Sequence, residues 1–530
     1  DYKFTTANLQ KPYTYQEFNS QKSEIKSEFS LKDNIISFNI GKYDKSKPLI
    51  IDPITRIMGS YFGGNGNDTG YDIEEDSQGN YYIAGYTESP TQIAVGGYQV
   101  IFGGLEDAYL VKFDKNNKRI WSTYFGDIGY EVGYALHIDN SGNIILVGET
   151  NSTSKISTPT AHQLVYGGGV SDGFIAKFQP NGQLLWATYY GGQEEDKLND
   201  VTMDSFGNIY VVGLTASDDN IFYNGYQQVR GGNYDAFIVK FNPLGAREWG
   251  TYYGGDEDDY GNGITIDPDR NIYIVGSTKS QNNIAYKANV PSFQGNVDTF
   301  VSSFENDGTL RWGTYYGGNG EDNGISIASD SQYLYFAGST KSQNGIAFNG
   351  YQINNKGGWD GFLVKYDFLQ NQYWGTYYGG LNDDYLSKVI TNNSAIYVAG
   401  NVNSLNNINL QGWQQTFGGG LSDGALAKYF PSGILDWSTY YGGTNRDVLR
   451  SVSNLNKLYV CGFTNSNNNI NQNGFQANLS GQLDAMFGEM SESKLELKID
   501  NSMYCADKQY TLSIDFQNIS FAPDNKFEVE

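Results

Sequence analysis

The side chains best suited to chemistry in this sequence are carboxylates that recur at a fixed position. Each stands four residues after the second glycine slot of a recurring Tyr-aromatic-Gly-Gly marker. The seven are Asp68, Glu131, Asp196, Asp259, Asp322, Asp384 and Asp447. Ca²⁺ prefers carboxylate and carbonyl oxygens, so a ring of these groups at a channel mouth is a candidate ligand or metal site. Asp in a turn also accepts hydrogen bonds from nearby amides, and the presence of a carboxylate in every repeat favours this structural interpretation.

Other catalytic arrangements find little support. The two histidines, His137 and His162, each occupy a repeat position and form no evident zinc site or triad. The neighbouring acids Asp258 and Asp259, like Asp383 and Asp384, have the residue types of a glycosidase pair, but solvated loop charges are the simpler interpretation. We therefore predict a protein that is not an enzyme and needs no cofactor, with Ca²⁺ as the open metal hypothesis.

The composition limits the partners. The 530 residues carry a formal net charge of -24, and such an acidic surface repels phosphate backbones, so nucleic-acid binding is not expected. No apolar run approaches the ~20 residues needed to span a bilayer.

Asp1 and Glu530 resemble internal ends of a longer chain, which we expect to be extracellular. Two cysteines, Cys461 and Cys505, are too few for a disulfide scaffold, and their pairing is left open.

A repeat positions all of these residues. The marker at residues 249–255 returns through most of the chain, and its first tyrosine stands at Tyr61, Tyr124, Tyr189, Tyr252, Tyr315, Tyr377 and Tyr440. Each unit contains four alternating segments separated by turns rich in Asp, Asn and Gly. Four antiparallel strands repeated seven times predict an all-β, seven-bladed β-propeller of four-stranded antiparallel blades over residues 56–490.

The connection between the second and third strands of each unit is long but patterned. It begins with Gly-x-Thr-x-Ser, and an aromatic-Gln pair stands near its middle. An isoleucine four residues after the Ser recurs as Ile93, Ile156, Ile221, Ile284, Ile346, Ile408 and Ile470. A buried isoleucine and ring would fix the connection, and the Gln amide would satisfy its backbone groups, so we expect ordered loops.

Counting the strands predicts how the ring closes. The series starts with an outer strand at residues 58–62 and ends with a third strand at residues 484–490. We therefore predict that Met58, Ser60, Tyr61 and Phe62 pair beside residues 485–487, which leaves no free edge between the first and last blades.

The two ends lie outside the repeat. Residues 1–55 contain two strand-like segments and are predicted to be the end of an N-terminal β domain or a strap on the propeller. Residues 491–530 alternate again and are predicted to begin an immunoglobulin-like β-sandwich that the sequence cuts short.

With these motifs in view, the repeat resembles the SBBP family, the seven-bladed β-propeller repeat of secreted bacterial proteins. The resemblance rests on Trp-x-Thr-Tyr-Tyr-Gly-Gly, Asp-x-x-Gly-Asn-Ile-Tyr, Gly-x-Thr-x-Ser and Gly-Gly-x-x-Asp-Ala-Phe-x-x-Lys-Phe. The second motif erodes at residues 330–333 and is absent near Asn392 and Leu455. The segment from Ser491 is similar to modules of large surface proteins of gliding Gram-negative bacteria, many of which carry a type IX secretion signal.

These observations lead to one favoured function and two alternatives. The favoured one is a non-enzymatic, secreted or cell-surface binding or display module of a larger adhesin-like protein, linked through the resemblance to type IX secretion, surface adhesion or gliding. Its partner would be an extracellular protein or glycan, with the secretion machinery as a further partner. The alternatives are a polysaccharide-acting enzyme with its site at the channel mouth, and a purely structural spacer.

Overall fold

The computed structural model describes residues 14–18, 21–32, 35–44, 49–51, 54–392, 394–492, 495–497 and 527–529. Within these residues the chain is all-β and forms seven four-stranded antiparallel blades around a channel, as the repeat predicts. Strands of β-branched and aromatic residues alternate with turns that use Gly and Asn at positive φ, for example Gly79 and Gly142.

Each blade runs from the channel to the periphery in chain order, and its outer strand leads into the next blade. The innermost strands are Asp68–Glu75, Glu131–Ile138, Asp196–Met203, Asp259–Ile266, Asp322–Ser329, Asp384–Thr391 and Asp447–Asn454. The second strands are Tyr81–Thr87, Ile144–Thr150, Ile209–Thr215, Ile272–Thr278, Tyr333–Thr340, Ile396–Val402 and Leu458–Thr464. The third strands are Asp107–Phe113, Asp172–Phe178, Asp235–Phe241, Asp298–Phe304, Asp360–Asp367, Asp423–Tyr429 and Asp484–Glu492. The outer strands are Arg119–Phe125, Leu184–Tyr190, Arg247–Tyr253, Leu310–Tyr316, Gln372–Tyr378, Leu435–Tyr441 and Ile54–Phe62.

The ring closes as the strand count predicts. Ile54–Phe62 pairs antiparallel with Asp484–Glu492 and becomes the outer strand of the seventh blade. In this register Ser60 lies opposite Phe487, Tyr61 opposite Met486 and Phe62 opposite Ala485. Because the first outer strand and the last three strands complete one sheet, no unpaired edge separates the first blade from the last.

The long connections are packed against the blades. The recurring isoleucine is fully buried in all seven copies. In the first blade Gln99 Nε2 donates to Asp107 Oδ2 and to the Ile101 carbonyl, while Gln99 Oε1 accepts from the Gly126 amide, at 3.0–3.1 Å. The same connection pairs with the outer strand through Val95 and Ser122, so it also covers the blade's free edge.

The tryptophan that recurs in the outer strands lies between blades. Trp249 Nε1 donates to the Asn306 carbonyl in the next blade at 2.9 Å, and Trp121 donates in the same way to Pro180. Met58 occupies the tryptophan's position in the seventh outer strand and is buried. These rings fill the interface between neighbouring blades, which is why one recurs in nearly every unit.

Short strands flank the propeller. On the N-terminal side they are Thr14–Phe18, Gln21–Ile25, Ser27–Lys32, Ile35–Ile40 and Leu49–Ile51, and on the C-terminal side they are Leu495–Leu497 and Phe527–Val529. Leu495–Leu497 pairs with Leu49–Ile51, so the first strand after the propeller joins a sheet of the N-terminal segment. Cys505 and most of the predicted immunoglobulin-like segment, residues 493–494, 498–526 and 530, lie outside the described residues. Cys461 is buried in the seventh blade as a free thiol.

Candidate functional site

The seven recurring carboxylates occupy the first position of the innermost strands and are buried inside the protein. Asp68 is typical: its carboxylate accepts the Gly64 amide at 2.8 Å, the Ser89 hydroxyl at 2.9 Å and the Thr87 hydroxyl. Thr87 ends the adjacent second strand, and Ser89 begins the long connection. One carboxylate therefore joins the turn from the preceding blade, the second strand and the loop in a single network.

The other copies repeat this arrangement. Asp196 Oδ2 accepts the Gly192 amide and the Ser217 hydroxyl, and Asp447 Oδ2 accepts the Gly443 amide and the Ser466 hydroxyl, all at 2.7–2.8 Å. The variant Glu131 accepts the Thr150 hydroxyl at 2.6 Å and the Asp127 amide at 2.9 Å. The longer Glu side chain thus reaches the same partners.

A second recurring carboxylate lies close to each of these. In the first interface, the position that a Cβ would take on Gly63 is 2.6 Å from Asp68 Oδ2 and 2.9 Å from Asp484 Oδ1. Burial raises the pKa of Asp68 to about 7, and the neighbouring Asp484 adds to the rise. Burial likewise raises the pKa of Asp107 to about 7, with Glu131 contributing. Two carboxylates flank the glycine, which explains why the marker requires glycine there.

These contacts favour the structural interpretation of the acidic ring. Most of the oxygens face amide and hydroxyl donors, and such donors occupy the positions that cation coordination would need. Asp196 Oδ1 and Asp259 Oδ1 are the buried oxygens of the ring without a partner among the described residues. Each of the seven carboxylates is fully buried. Across the described part of the chain, no group of three or more His, Cys, Asp or Glu side chains is arranged to hold a metal ion.

The channel itself has a different set of lining residues. Every innermost strand carries a β-bulge at its fourth residue, shown by a register shift against the second strand. The bulged residues all line one cavity of about 330 Å³, hereafter the upper cavity: Tyr71, Tyr134, Asn199, Asn262, Ile325, Ser387 and Arg450. A bulge re-aims a side chain without ending the strand. The fold therefore presents one side chain per blade at equivalent positions, and the seven side chains are of five residue types.

Lys388 closes the channel below this ring. Its ammonium lies 3.6 Å from Asp72 Oδ1 and 4.0 Å from Asp200 Oδ1, on two other blades. Asp72 Oδ2 accepts the Leu136 amide and Asp200 Oδ2 accepts the Ile264 amide, each at 3.0 Å. Burial lowers the pKa of Lys388, but the facing carboxylates outweigh it and raise the pKa above its usual range. Lys388 therefore stays charged and divides the channel into two cavities.

The second cavity, of about 580 Å³, lies on the other side of Lys388. His137 Nδ1 lies 3.1 Å from Glu74 Oε1 at its wall. Burial lowers the pKa of His137, but the Glu74 carboxylate outweighs it and the pKa is raised. Glu74 also accepts the Ile138 amide at 3.0 Å, so this pair joins the first two blades.

The remaining predicted chemical residues have structural partners. His162 packs against Tyr190 and Phe241, and burial lowers its pKa to about 4. Asp258 pairs with Lys279 at 2.8 Å, and Asp383 accepts the Trp359 amide at 2.9 Å. None of these side chains lines either cavity.

Sequence reasoning missed the bulged positions because it looked for chemistry in residues that recur. The signal in the sequence was a lack of recurrence. Three residues after each recurring carboxylate, the seven units differ in size, polarity and charge within an otherwise regular strand. Because the residue type at this position changes around the ring, holding the blades together does not require a particular side chain there.

Comparison with known families agrees with the repeat. The SBBP model, described as a beta-propeller repeat, matches residues 185–221 and 248–285. Each match runs from an outer strand through the first two strands of the next blade to the recurring isoleucine. Together with the seven blades, these matches support the SBBP family for the repeat. Residues 1–54 match a domain of unknown function, DUF7948.

Two curated proteins and a solved structure are similar to this chain at low sequence identity. An uncharacterized WD repeat-containing protein of Acanthamoeba polyphaga mimivirus is 23% identical over 368 residues, or 56% of this chain and 26% of that protein. The regulatory protein FlaEY of Caulobacter vibrioides is 24% identical over 388 residues, or 67% of this chain and 38% of that protein. The chain thus spans well under half the length of these relatives. The WD40 domain of Neurospora crassa Pan2 is 8% identical with a TM-score of 0.39, covering 82% of this chain and 97% of that domain.

Among the residues that the structure describes, no helix is long and apolar enough to cross a membrane.

Proposed function

We propose that this chain is a non-enzymatic binding module of a larger, secreted or cell-surface adhesin-like protein, and that its ligand enters the upper cavity. The observation that carries the proposal is the ring of bulged residues. Seven equivalent backbone positions present seven side chains drawn from five residue types to one cavity, on strands held rigid by repeated buried networks. Varied polar and aromatic groups on a fixed framework suit recognition.

A binding role fits the channel residues better than catalysis. Asp72 and Asp200 each accept a backbone amide and face Lys388. A general acid or base needs a proton-transfer position open to substrate, and these carboxylates are already engaged by neighbouring blades. The wall of the upper cavity instead offers rings, amides and a guanidinium, which bind without exchanging protons at neutral pH.

The extracellular setting and type IX export are also part of the proposal. They rest on the resemblance of the repeat to secreted bacterial propellers. The acidic composition and the absence of a disulfide framework in the sequence are compatible with that setting. Display by export would be tested by locating the full-length protein in fractionated cells with and without a functional type IX system.

A combined binding and turnover screen tests the function. Glycan and extracellular-protein arrays would be probed with the wild-type chain, with Tyr385→Ala in the upper cavity and with Tyr226→Ala on an outer loop. We expect binding that Tyr385→Ala weakens and Tyr226→Ala leaves unchanged, with no release of reducing ends from bound polysaccharide. Turnover abolished by channel variants would establish the enzyme instead, and absence of both binding and turnover would leave the spacer.

A further inference from the structure

The upper cavity contains a cation whose hydrogen-bonding capacity the protein does not use. Arg450 is the bulged residue of the seventh innermost strand. Its Nε atom is screened from solvent, and no acceptor in the described part of the chain lies within hydrogen-bonding distance of it. The guanidinium carbon is 5.4 Å from the centroid of the Tyr71 ring and 5.7 Å from that of Phe463. These rings hold the guanidinium in place and supply no acceptor oxygen.

The other cation of the cavity is already neutralised. Lys388 lies between Asp72 and Asp200, at 3.6 and 4.0 Å, so two carboxylates compensate its charge. No such carboxylate partner of Arg450 is found among the described residues. A guanidinium with a buried, unsatisfied N–H gains most from an anionic acceptor, and its planar fork matches a carboxylate.

The rest of the wall suits hydroxyl groups. Asn199 Nδ2 donates to the Gly261 carbonyl and Asn262 Nδ2 to the Gly324 carbonyl, both at 2.8 Å. Each amide is thereby oriented, and its Oδ1 atom is left as an acceptor for a ligand hydroxyl. Tyr71, Tyr134 and Tyr385 add aromatic rings to the same wall. Fixed amide acceptors beside aromatic faces bind a polyol better than they bind an apolar chain.

We propose that the upper cavity binds a carboxylate-bearing sugar, a uronic acid residue of a glycan, with its carboxylate on Arg450 and its hydroxyls on the amides of Asn199 and Asn262. This inference rests on the proposed function and names the ligand class of the same cavity. The cavity volume of about 330 Å³ lies at the small end of the range for small-molecule sites, which suits the end of a glycan.

The test compares three probes on the full chain by titration calorimetry at constant pH and ionic strength. Methyl β-D-glucuronide carries the sugar and the carboxylate, methyl β-D-glucoside lacks the carboxylate, and N-acetylglycine carries a carboxylate without the sugar. We expect the glucuronide to bind at least about tenfold more tightly than either of the other probes. The glucoside offers the guanidinium only a neutral acceptor, and a hydrogen bond to a charged group contributes about tenfold more to the binding constant. N-acetylglycine lacks the hydroxyls that would bind the amides of Asn199 and Asn262.

Three arginine variants locate the effect. Arg450→Gln removes the guanidinium from the cavity, and Arg446→Gln removes an exposed guanidinium 5.1 Å from the same Phe463 ring. Arg450→Gln should abolish the preference for the glucuronide, and Arg446→Gln should retain it. Arg450→Lys keeps the charge without the fork and should give an intermediate preference, and thermal melting of each variant shows that it folds.

The outcomes separate this inference from the proposed function. Equal binding of the glucoside and the glucuronide, or a preference that survives Arg450→Gln, would overturn the acidic sugar while a channel-dependent array signal still supports a binding module. Binding of N-acetylglycine as tight as that of the glucuronide would make the ligand a simple carboxylate. If no probe binds and the arrays are blank, both proposals fail.

Discussion

Glu492 accepts a tryptophan hydrogen bond that a turn accepts in other blades. In four of the five earlier interfaces the outer-strand tryptophan donates to a carbonyl in the next blade's turn between third and outer strands, as Trp249 does to Asn306 and Trp374 to Pro431. Trp186 is the exception, and its Nε1 atom has no partner among the described residues. The seventh blade has no such turn, because its third strand leaves the propeller and its outer strand comes from the N-terminal side. Trp437 Nε1 donates instead to Glu492 Oε1 at 2.9 Å.

Glu492→Ala should therefore destabilise the propeller strongly. Glu492 Oε2 also accepts from Lys428 Nζ at 2.7 Å and from the Tyr397 hydroxyl at 3.1 Å. Among the described residues, the truncation leaves a mostly buried ammonium with Asp436 at 3.5 Å as its remaining carboxylate, together with two donors that lose their acceptor. Losing an ion-paired hydrogen bond and two hydrogen bonds from neutral donors to the same buried carboxylate predicts a loss of about 3–5 kcal/mol in the free energy of unfolding.

Urea unfolding followed by tryptophan fluorescence measures this loss against a matched control. Glu305→Ala removes the exposed ion pair with Arg311, in which the Glu305 side chain is 52% exposed, and should cost less than about 1 kcal/mol. Glu492→Gln keeps an acceptor for Trp437 but loses the charge, so it should fall between the two. If Glu492→Ala lowered the free energy of unfolding no more than Glu305→Ala does, this account of the interface between the sixth and seventh blades would be refuted.

The remaining predictions concern the buried carboxylates. Burial raises the pKa of Asp68, Asp107, Asp172, Asp196, Asp259 and Asp423 to about 7, so the folded chain binds more protons than the unfolded chain above about pH 4. Stability should therefore fall as pH rises from about 4 to 7, and a urea midpoint that rises over this interval would contradict the assignment of these carboxylates. Asp196→Ala should lower the free energy of unfolding by about 3 kcal/mol, because it strips an acceptor from the Gly192 amide and the Ser217 hydroxyl. Asp218→Ala, whose side chain is 77% exposed, should cost much less, and equal losses would count against the network. Adding Ca²⁺ to metal-stripped protein should give neither binding heat nor a higher melting temperature, and either signal would restore the cation hypothesis.

The repeat, the ring closure and the ordered loops could be predicted from the sequence because one residue does the same task in every blade. The recurring isoleucine, the Gln of six loops and the tryptophan of six outer strands meet similar surroundings, so recurrence alone identified them. In the fourth loop Val290, and not Gln294, pairs with the outer strand at the position that Gln holds elsewhere. The burial of the acidic ring was harder to predict. A carboxylate in a loop and a carboxylate in a closed interface have the same spacing, and the Thr and Ser hydroxyls that enclose Asp68 belong to a strand and a loop nineteen and twenty-one residues away.

The residues that line the channel could not be predicted from recurrence, because their pattern depends on how many blades the ring contains. After each bulge the fifth position holds Asp72, Ala135, Asp200, Gly263, Ser326, Lys388 and Ser451. Acceptors in odd-numbered blades cap an amide of the following even-numbered blade, as Asp72 caps Leu136, Asp200 caps Ile264 and Ser326 caps Val389.

An alternating pattern cannot be completed in a ring of seven, so two acceptors must meet where the seventh blade adjoins the first. There the Ser451 hydroxyl donates to Asp72 Oδ1 at 2.6 Å, because Ser can donate where a second carboxylate would repel. The non-acceptor positions are small in blades two and four, and this leaves space at the axis for the one long side chain, Lys388 of blade six, to reach Asp72 and Asp200. The odd number of blades thus favours a hydroxyl where the seventh blade adjoins the first. The small residues Ala135 and Gly263 make room for the Lys388 ammonium that separates the two cavities.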